Sequence, residues 1–390
     1  MRILFVTYRE SLHRGASLGV MQTQVLEVLS TIAKDSEVRW LVLGQDFDAS
    51  HSIEVSSGII ISYRNIGSAQ RWGDRVRARQ QLRTEIHEFV PDLIHLRGYH
   101  AALIASTLRI NVPRVFDPRT LFPLERALIA SGVFSAIKNR AWRPVERWIA
   151  SRSNFTVAVS EPMRDYFLKF LRDDQVVWIP LAADHRRFIE PRSRRNIIRT
   201  EMGYNTDDIV IIYSGSISYA SPDAVSSMLG RIRTGTPESK LLFVTRDESA
   251  ELQRSLATKS IDATFRSAEM VEMPDLLCAA DWGLIFTGLQ DSPTEAERRL
   301  SRTVLGTKVP EYWAAGLGII VARNLEWLAQ LVSDNGLGVA VDGCDNPIKL
   351  PKRYSEDRHR SIAFHLSRFD TSAVVEQYRH LYRILLMDGQ

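Results

Sequence analysis

Short apolar runs recur along this chain, each followed by a polar or glycine-bearing turn and then a helical pattern, and this alternation limits the possible folds most. In the first half, strands are expected at residues 3–7, 38–43, 58–63, 92–95, 114–117, 155–159 and 176–180. Helices are expected between them at 20–34, 75–89, 101–108 and 133–153. Ser160 is placed to cap a further helix, with Glu161 and Pro162 in its first turn. The second half repeats the pattern, with strands at 209–213, 240–244, 263–266, 282–286, 318–321 and 338–341 and helices such as 273–280 and 325–332. Strands alternating with helices in this way predict a parallel, doubly wound sheet. Two such halves predict an α/β chain of two Rossmann-like domains. Ligands of such sheets bind beyond the carboxyl ends of the strands, so a cleft between facing domains is the expected site.

A length of 390 residues suits two domains. Residues 183–206 are polar and basic without clear periodicity, and the boundary is placed there. The first domain is then 1–183, completed by 371–390 through a final helix at 373–386 that crosses back, and the second is 184–370. A hydrophobic fraction of 45% with 25% charged residues is ordinary for a soluble globular enzyme. No apolar run approaches the roughly 18 residues of a membrane span. The start, MRILFVTYRE, lacks the apolar core and cleavage site of a signal peptide. A cytoplasmic location is expected. Cys278 and Cys344 lie far apart, form no metal or redox motif, and are expected as plain core or loop residues.

The net charge of +4 hides uneven placement. Arg75, Arg79 and Arg83 form one stripe, opposite Ala78, Leu82, Ile86 and Phe89. Arg140, Arg143 and Arg147 form a second, interleaved with Trp142, Trp148 and Ile149, and Arg186, Arg187, Arg192, Arg194 and Arg195 form a cluster. Basic helices with interfacial tryptophans can rest on an anionic membrane surface, here as a peripheral protein of the inner face. A solvated face is the plainer reading. No recognition motif accompanies the charge, so nucleic acid is not expected as a partner. The charged stretch 290–299 has no periodicity and is expected to be a mobile loop.

The most informative stretch is 301–324, SRTVLGTKVPEYWAAGLGIIVARN. Leu305, Gly306, Thr307 and Lys308 would bring a helix N-terminus to a ligand. Val309, Trp313 and Ala314 form an apolar face, Gly316 stops the helix, and Ile319, Ile320 and Val321 run on as a strand. Glu311 falls one turn after Lys308, on the same face. A cation, a carboxylate and free backbone amides suit a ligand with phosphates at one end and sugar hydroxyls at the other. A solvated Lys–Glu pair is the alternative.

Four pieces in order resemble one family. Residues 157–160 (VAVS), then 177–184 (VWIPLAAD) and Phe188, resemble a crossover into a second domain. Residues 211–216 (IIYSGS) resemble an opening strand and glycine loop, 273–281 (MPDLLCAAD) the helix before a donor-site strand, and 307–316 (TKVPEYWAAG) a donor signature. Together they are similar to the retaining glycosyltransferases of family 4, which have the two-domain GT-B fold. The resemblance implies transfer of a sugar from a nucleotide-diphosphate sugar to an acceptor hydroxyl, in bacterial surface glycan or glycolipid synthesis. It implies that Glu311 grips the ribose hydroxyls and that amides around Leu305, Gly306 and Thr307 face the diphosphate. Gly215 and Ser216 would form the glycine loop, and Gly19, in the first loop, would approach the same group. Arg119 falls where many relatives place a histidine near the donor sugar, and with Lys308 it is the expected catalytic pair. His95 or Arg97 would line the acceptor side; for His95 a buried structural role is the alternative.

Two departures stand out. Many relatives have a second glutamate where this chain has Thr303, and they usually have basic residues in the loop after the glycine, whereas residues 216–222 have none. Lys308 is the first candidate to compensate, before Arg246, Arg298, Arg299 and Arg302. The family's same-face attack needs no dedicated nucleophile, and no D-x-D or metal-ligand spacing occurs at the donor pieces, so neither metal nor cofactor is expected. Readings left open are a nucleotide-sugar epimerase and a catalytically silent nucleotide-sugar binder. The acceptor is left open between a lipid-linked or polysaccharide intermediate and a small natural product.

Overall fold

A computed structural model describes the chain except residues 11, 13–17, 45–49, 56, 68–71, 130–132, 219, 291–293, 304, 342–345, 352–355 and 388–390. For residues 18, 72, 127–129, 133–140, 296 and 356–359 only the backbone is described. The chain divides into two compact units, one of Met1–Leu181 with Thr371–Gln390 and one of Ala182–Asp370.

The first unit is built on an eight-stranded sheet in the order β3-β4-β2-β1-β5-β6-β7-β8. These strands are β1 Arg2–Tyr8, β2 Glu37–Gly44, β3 His51–Glu54, β4 Ile60–Asn65, β5 Leu93–Arg97, β6 Arg114–Asp117, β7 Phe155–Ala158 and β8 Val176–Trp178. All neighbours are parallel except β3 and β4. The central strands are buried on both faces, as in β1, where Ile3, Leu4, Phe5 and Val6 are all covered. Strand β3 was not expected from the sequence. Every residue of it is exposed, so it carries no apolar alternation, and its polar side chains suit a sheet edge. The region expected as one helix at 20–34 is Leu18–Met21 and Glu27–Ile32 joined by a π-helical segment, Gln22–Leu26, which buries Thr23, Gln24 and Val25. The final helix, Thr371–Met387, belongs to this unit and packs on Glu27–Ile32. Its buried Val374, Val375, Tyr378, Leu381, Tyr382 and Leu385 recur at helical spacing along one face.

The second unit is a six-stranded parallel sheet in the order β11-β10-β9-β12-β13-β14. Its strands are β9 Ile209–Ser214, β10 Ser239–Val244, β11 Thr264–Arg266, β12 Trp282–Ile285, β13 Gly318–Ala322 and β14 Gly338–Val341. Ile209, Ile211, Tyr213, Trp282 and Leu284 meet Val225, Leu229 and Ile232 from the helix Pro222–Gly235 in one core.

Two expectations are corrected here. Residues 183–206, read from the sequence as lacking clear periodicity, hold the helices Ile189–Ser193 and Arg195–Glu201. Their periodicity was hidden because an arginine, Arg199, takes a buried position. Arg199, only 1% exposed, bonds the carbonyls of Ala279, Asn205 and Asp208 and the Asp281 carboxylate, while Arg195 bonds Asp281 and the carbonyls of Cys278 and Ala280. Of the third arginine cluster, Arg195 thus serves packing within the unit, as does Arg192 through the Ala314 carbonyl. Within 290–299, a helix runs from Glu295 to Ser301 behind a capping box made by Thr294 and Glu297; residues 291–293 lie outside the described residues. Cys278 is buried, and Cys344 also lies outside the described residues.

Candidate functional site

In the second unit the helix Lys308–Ala315 and the end of β9 converge. Helix and sheet can approach because residue 283 in β12 is glycine. A Cβ there would stand 2.1 Å from the Tyr312 ring. Tyr312 lies in that space, and its hydroxyl accepts from the Ser214 amide at 3.0 Å, tying the helix to the strand end. Gly316 then closes the helix in the left-handed region at φ 83°, which glycine adopts without strain.

Lys308 leaves the first turn of this helix and lies along Gly215. A Cβ on Gly215 would be 2.6 Å from the lysine Cε, and Gly215 itself has φ +112°. The Lys308 ammonium donates to the Tyr213 hydroxyl at 3.2 Å and sits 4.5 Å from that ring's centroid. Tyr213 is held by stacking on Phe286 at 4.0 Å and by donating to the Ser216 carbonyl. Burial lowers the lysine pKa to about 8, against the opposing charges of Glu311 and Asp247. Glu311 is half-buried, 3.8 Å from Arg187. Burial raises its pKa, opposed by Arg187 and Lys308. Lys308, Gly215 and Glu311 therefore form one partly desolvated group. Leu305 is buried. Thr307 stands at the helix start without a side-chain cap, and Gly306 accepts from the Val309 amide at 3.0 Å.

The loop after Gly215 holds a residue that the sequence reading missed. One oxygen of Asp247 accepts from Ser216 Oγ at 2.6 Å, from the Ile217 amide at 2.8 Å and from the Ser218 amide at 3.2 Å. A carboxylate thus occupies amides that such a loop could offer to a phosphate. The only signal in the sequence was an acid soon after β10, which is too common to single out. Arg246, beside it, turns away to Glu269 at 3.0 Å and to the Ala268 carbonyl at 3.3 Å. Arg298 and Arg299 pair with Glu295, and Arg302 with Glu326. Of the basic residues expected to compensate for the uncharged loop, Lys308 alone is placed against Gly215 among the described contacts. Thr303 is buried, with its hydroxyl on the Leu300 carbonyl at 2.9 Å.

In the first unit, His95 and Arg97 end β5 and meet Asp117 at the end of β6. His95 is buried, with Nδ1 at 2.8 Å from the Tyr382 hydroxyl and Nε2 at 3.5 Å from Asp117. Burial lowers its basicity. Arg97 bonds Glu10 at 3.0 Å and Asp117 at 3.4 Å. Burial alone would raise the Asp117 pKa, but Arg119, His95 and Arg97 outweigh it and hold the group at about 2. A small cavity is lined by Gln24, His95, Arg97, Asp117, Tyr378 and Tyr382, among others, and His95 Nε2 and Asp117 Oδ1 have no hydrogen-bond partner there. The buried reading of His95 fits these contacts. Arg119 is half-buried at φ 66°. Gly19 is not in a loop: it lies in the helix Leu18–Met21, with its carbonyl accepting from Thr23.

Among the described residues, Asp184, His185 and Asp370 place potential metal-ligand atoms within 4.8 Å of one another. Asp184 is already gripped by Arg186 through two bonds, and His185 by Asp370. No described helix is long and apolar enough to cross a membrane.

Residues 21–187 match the family model described as Glycosyltransferase Family 4. No curated protein sequence matches the chain. Among solved structures, sucrose-phosphate synthase from Thermosynechococcus elongatus is similar at a TM-score of 0.72 and 14% identity, covering 99% of this chain and 99% of that one. Anabaena HepE in complex with UDP-glucose is similar at 0.69 and 14%, covering 98% and 99%. The α,α-trehalose 6-phosphate synthase of Burkholderia multivorans is similar at 0.67 and 10%, covering 100% and 99%. At these identities the likeness is one of fold. Residues 21–187 thus resemble glycosyltransferase family 4, and the two Rossmann-like units have the GT-B fold.

Proposed function

We propose that the protein is a retaining glycosyltransferase that takes a sugar from a nucleotide-diphosphate sugar and passes it to an acceptor hydroxyl. The observation that carries this reading is the placement of Lys308 along Gly215, one turn from Glu311 on the same helix. The complex of HepE with UDP-glucose adds support, as a protein of like fold with such a donor. Glu311 would accept from two adjacent ribose hydroxyls, which a single carboxylate can do. The amides at Gly306 and Thr307 and the Lys308 ammonium would face the diphosphate. As the anomeric bond breaks, negative charge grows on the departing phosphate. A cation already desolvated beside it stabilises that charge more than it stabilises the ground state. The acceptor hydroxyl would attack from the same face and lose its proton to the leaving phosphate, so the chain supplies no nucleophile and the step needs no metal. Arg119 would act at the donor sugar. The acceptor would be a glycan, a glycolipid or a small molecule, and the exposed Arg75, Arg79 and Arg83 would favour an anionic membrane surface.

A silent nucleotide-sugar binder is the second reading, favoured by Asp247 on the loop amides and by the absence of basic residues at 216–222. A panel of nucleotide sugars, followed by mass spectrometry for transfer or hydrolysis, separates the two. Turnover of one donor, abolished in Glu311→Ala, is the expected result. Binding without turnover of any donor would select the silent reading, and nucleotide affinity unchanged in Glu311→Ala would remove both.

A further inference from the structure

We propose that Arg187 is a positioning residue for the nucleotide: it balances the charge of Glu311 from 3.8 Å without taking the carboxylate's acceptor sites, which stay open to ribose hydroxyls. The inference rests on the transferase reading and deepens it. Arg187 lies in a 3₁₀ turn, His185–Phe188, that packs on the helix Lys308–Ala315. Asp184 caps this turn, its side chain accepting from the Arg186 amide at 3.0 Å and its carbonyl from the Arg187 amide at 3.2 Å. Phe188, only 1% exposed, anchors the other end, and its carbonyl accepts from the buried Cys278 thiol at 3.9 Å. The backbone that carries Arg187 is therefore fixed within the same unit as Glu311.

The separation decides what this pair can do. At 3.8 Å the nitrogen is too far from the oxygen for a hydrogen bond, yet opposite charges at that range attract where water is partly excluded. Among the described residues, none donates a hydrogen bond to the Glu311 carboxylate. Asp281, in the same unit, shows the opposite arrangement. Arg195 takes one of its oxygens at 2.6 Å, and Arg199 and the Val210 amide take the other at 3.2 and 2.8 Å. That carboxylate is used up in packing, whereas Glu311 keeps its acceptor sites. A partly buried carboxylate that must wait for hydroxyls needs a cation near it, or it takes up a proton and loses an acceptor. Burial pushes the Glu311 carboxyl up, and Arg187 and then Lys308 oppose it. Lys308 has a second task, since its ammonium donates to Tyr213. The other titratable groups packed around this helix are engaged elsewhere. Arg192, from Ile189–Ser193, bonds the Ala314 carbonyl. Asp275, from Met273–Ala279, pairs with Arg194 at 3.5 Å, and His365, from Glu356–Phe369, lies against Trp313. Tyr312, next along the helix, is kept protonated by burial. Without Arg187 the Glu311 carboxyl would therefore titrate at higher pH, and ribose binding would fail sooner on acidification.

The test is calorimetry on the full chain between about pH 5 and pH 8, with UDP, GDP and ADP as probes and the tightest of them carried forward. Arg187→Met keeps a stem of similar shape without the charge. Its affinity should stay within about twofold of the unmodified chain at pH 7.5 and be at least about fivefold weaker at pH 5.5, because only the ionised carboxylate accepts from both hydroxyls. Arg187→Lys should restore the original profile, since the geometry asks for a charge and no hydrogen bond. In a Glu311→Gln background Arg187→Met should leave the profile unmoved, and so should it with the 2′,3′-dideoxy form of the probe. An unshifted profile in Arg187→Met overturns the proposal, as does a failure of Arg187→Lys to restore it. A loss of the same factor at every pH, or one that persists beside Glu311→Gln, also overturns it and makes Arg187 a direct ligand contact or a part of the packing. Failure of the transferase reading shows separately, as nucleotide affinity that Glu311→Gln leaves unchanged or as no binding of any probe, and removes the proposal with it.

Discussion

Lys308 and Asp247 set the electrostatics at the end of β9, where the donor is proposed to bind. With a pKa near 8 in the unliganded chain, Lys308 is largely charged at pH 7 and largely neutral by pH 9. A bound diphosphate favours the charged form and raises that pKa, so binding at pH 8 should take up protons. Calorimetry in buffers of different ionisation enthalpy measures this uptake, and nucleotide affinity should fall as pH rises above about 8. Proton release on binding would mean that the lysine does not face the phosphate. Lys308→Ala should lower turnover of an identified donor by roughly a hundredfold, as loss of one preorganised donor usually does. Asp247 has the opposite effect: its carboxylate holds the loop amides but repels a second anion. Asp247→Asn keeps the shape with less charge, so UDP should bind several-fold more tightly. Weaker binding would show that the carboxylate's hold on the loop matters more than its charge.

At the scale of elements, the site depends on how closely the helix Lys308–Ala315 approaches β12. Gly283→Ala would push a methyl group into the Tyr312 ring. Overpacking of this kind costs about 1–3 kcal/mol, and the displaced helix would carry Lys308 and Glu311 with it. Urea unfolding should show the lost stability, and UDP titration of the folded variant should show weaker binding. Unchanged affinity would place the donor elsewhere. Tyr312→Phe removes only the hydroxyl on the Ser214 amide and should have a smaller effect of the same sign.

For the whole molecule, the final helix is the informative element, because it completes the first unit from the far end of the chain. Tyr382 from that helix meets the buried His95 ring. Tyr382→Phe should cost about 1 kcal/mol of stability, read by thermal unfolding, and leave UDP affinity alone. A chain ending at residue 370 would expose the face of Glu27–Ile32 that the final helix covers, and the first unit should then lose its cooperative unfolding transition.

The strand–helix alternation was legible because a buried parallel strand must be apolar and its crossover helix must be amphipathic, and both are local patterns. The helix at 308–315 was legible for the same reason, from Lys308 and Glu311 one turn apart to Gly316 at its end. Strand β3 was not, since an exposed edge imposes no pattern. Nor were the helices of 189–201, where the buried Arg199 looks solvated until the carbonyls it bonds are in place. Which cation stands beside Gly215, which carboxylate takes the loop amides, and which arginines bond carbonyls depend on residues distant in the chain. Sequence determined the periodic elements, and only tertiary contact decided which charges are neutralised, because an ion pair is fixed by distance in space, whatever the separation along the chain.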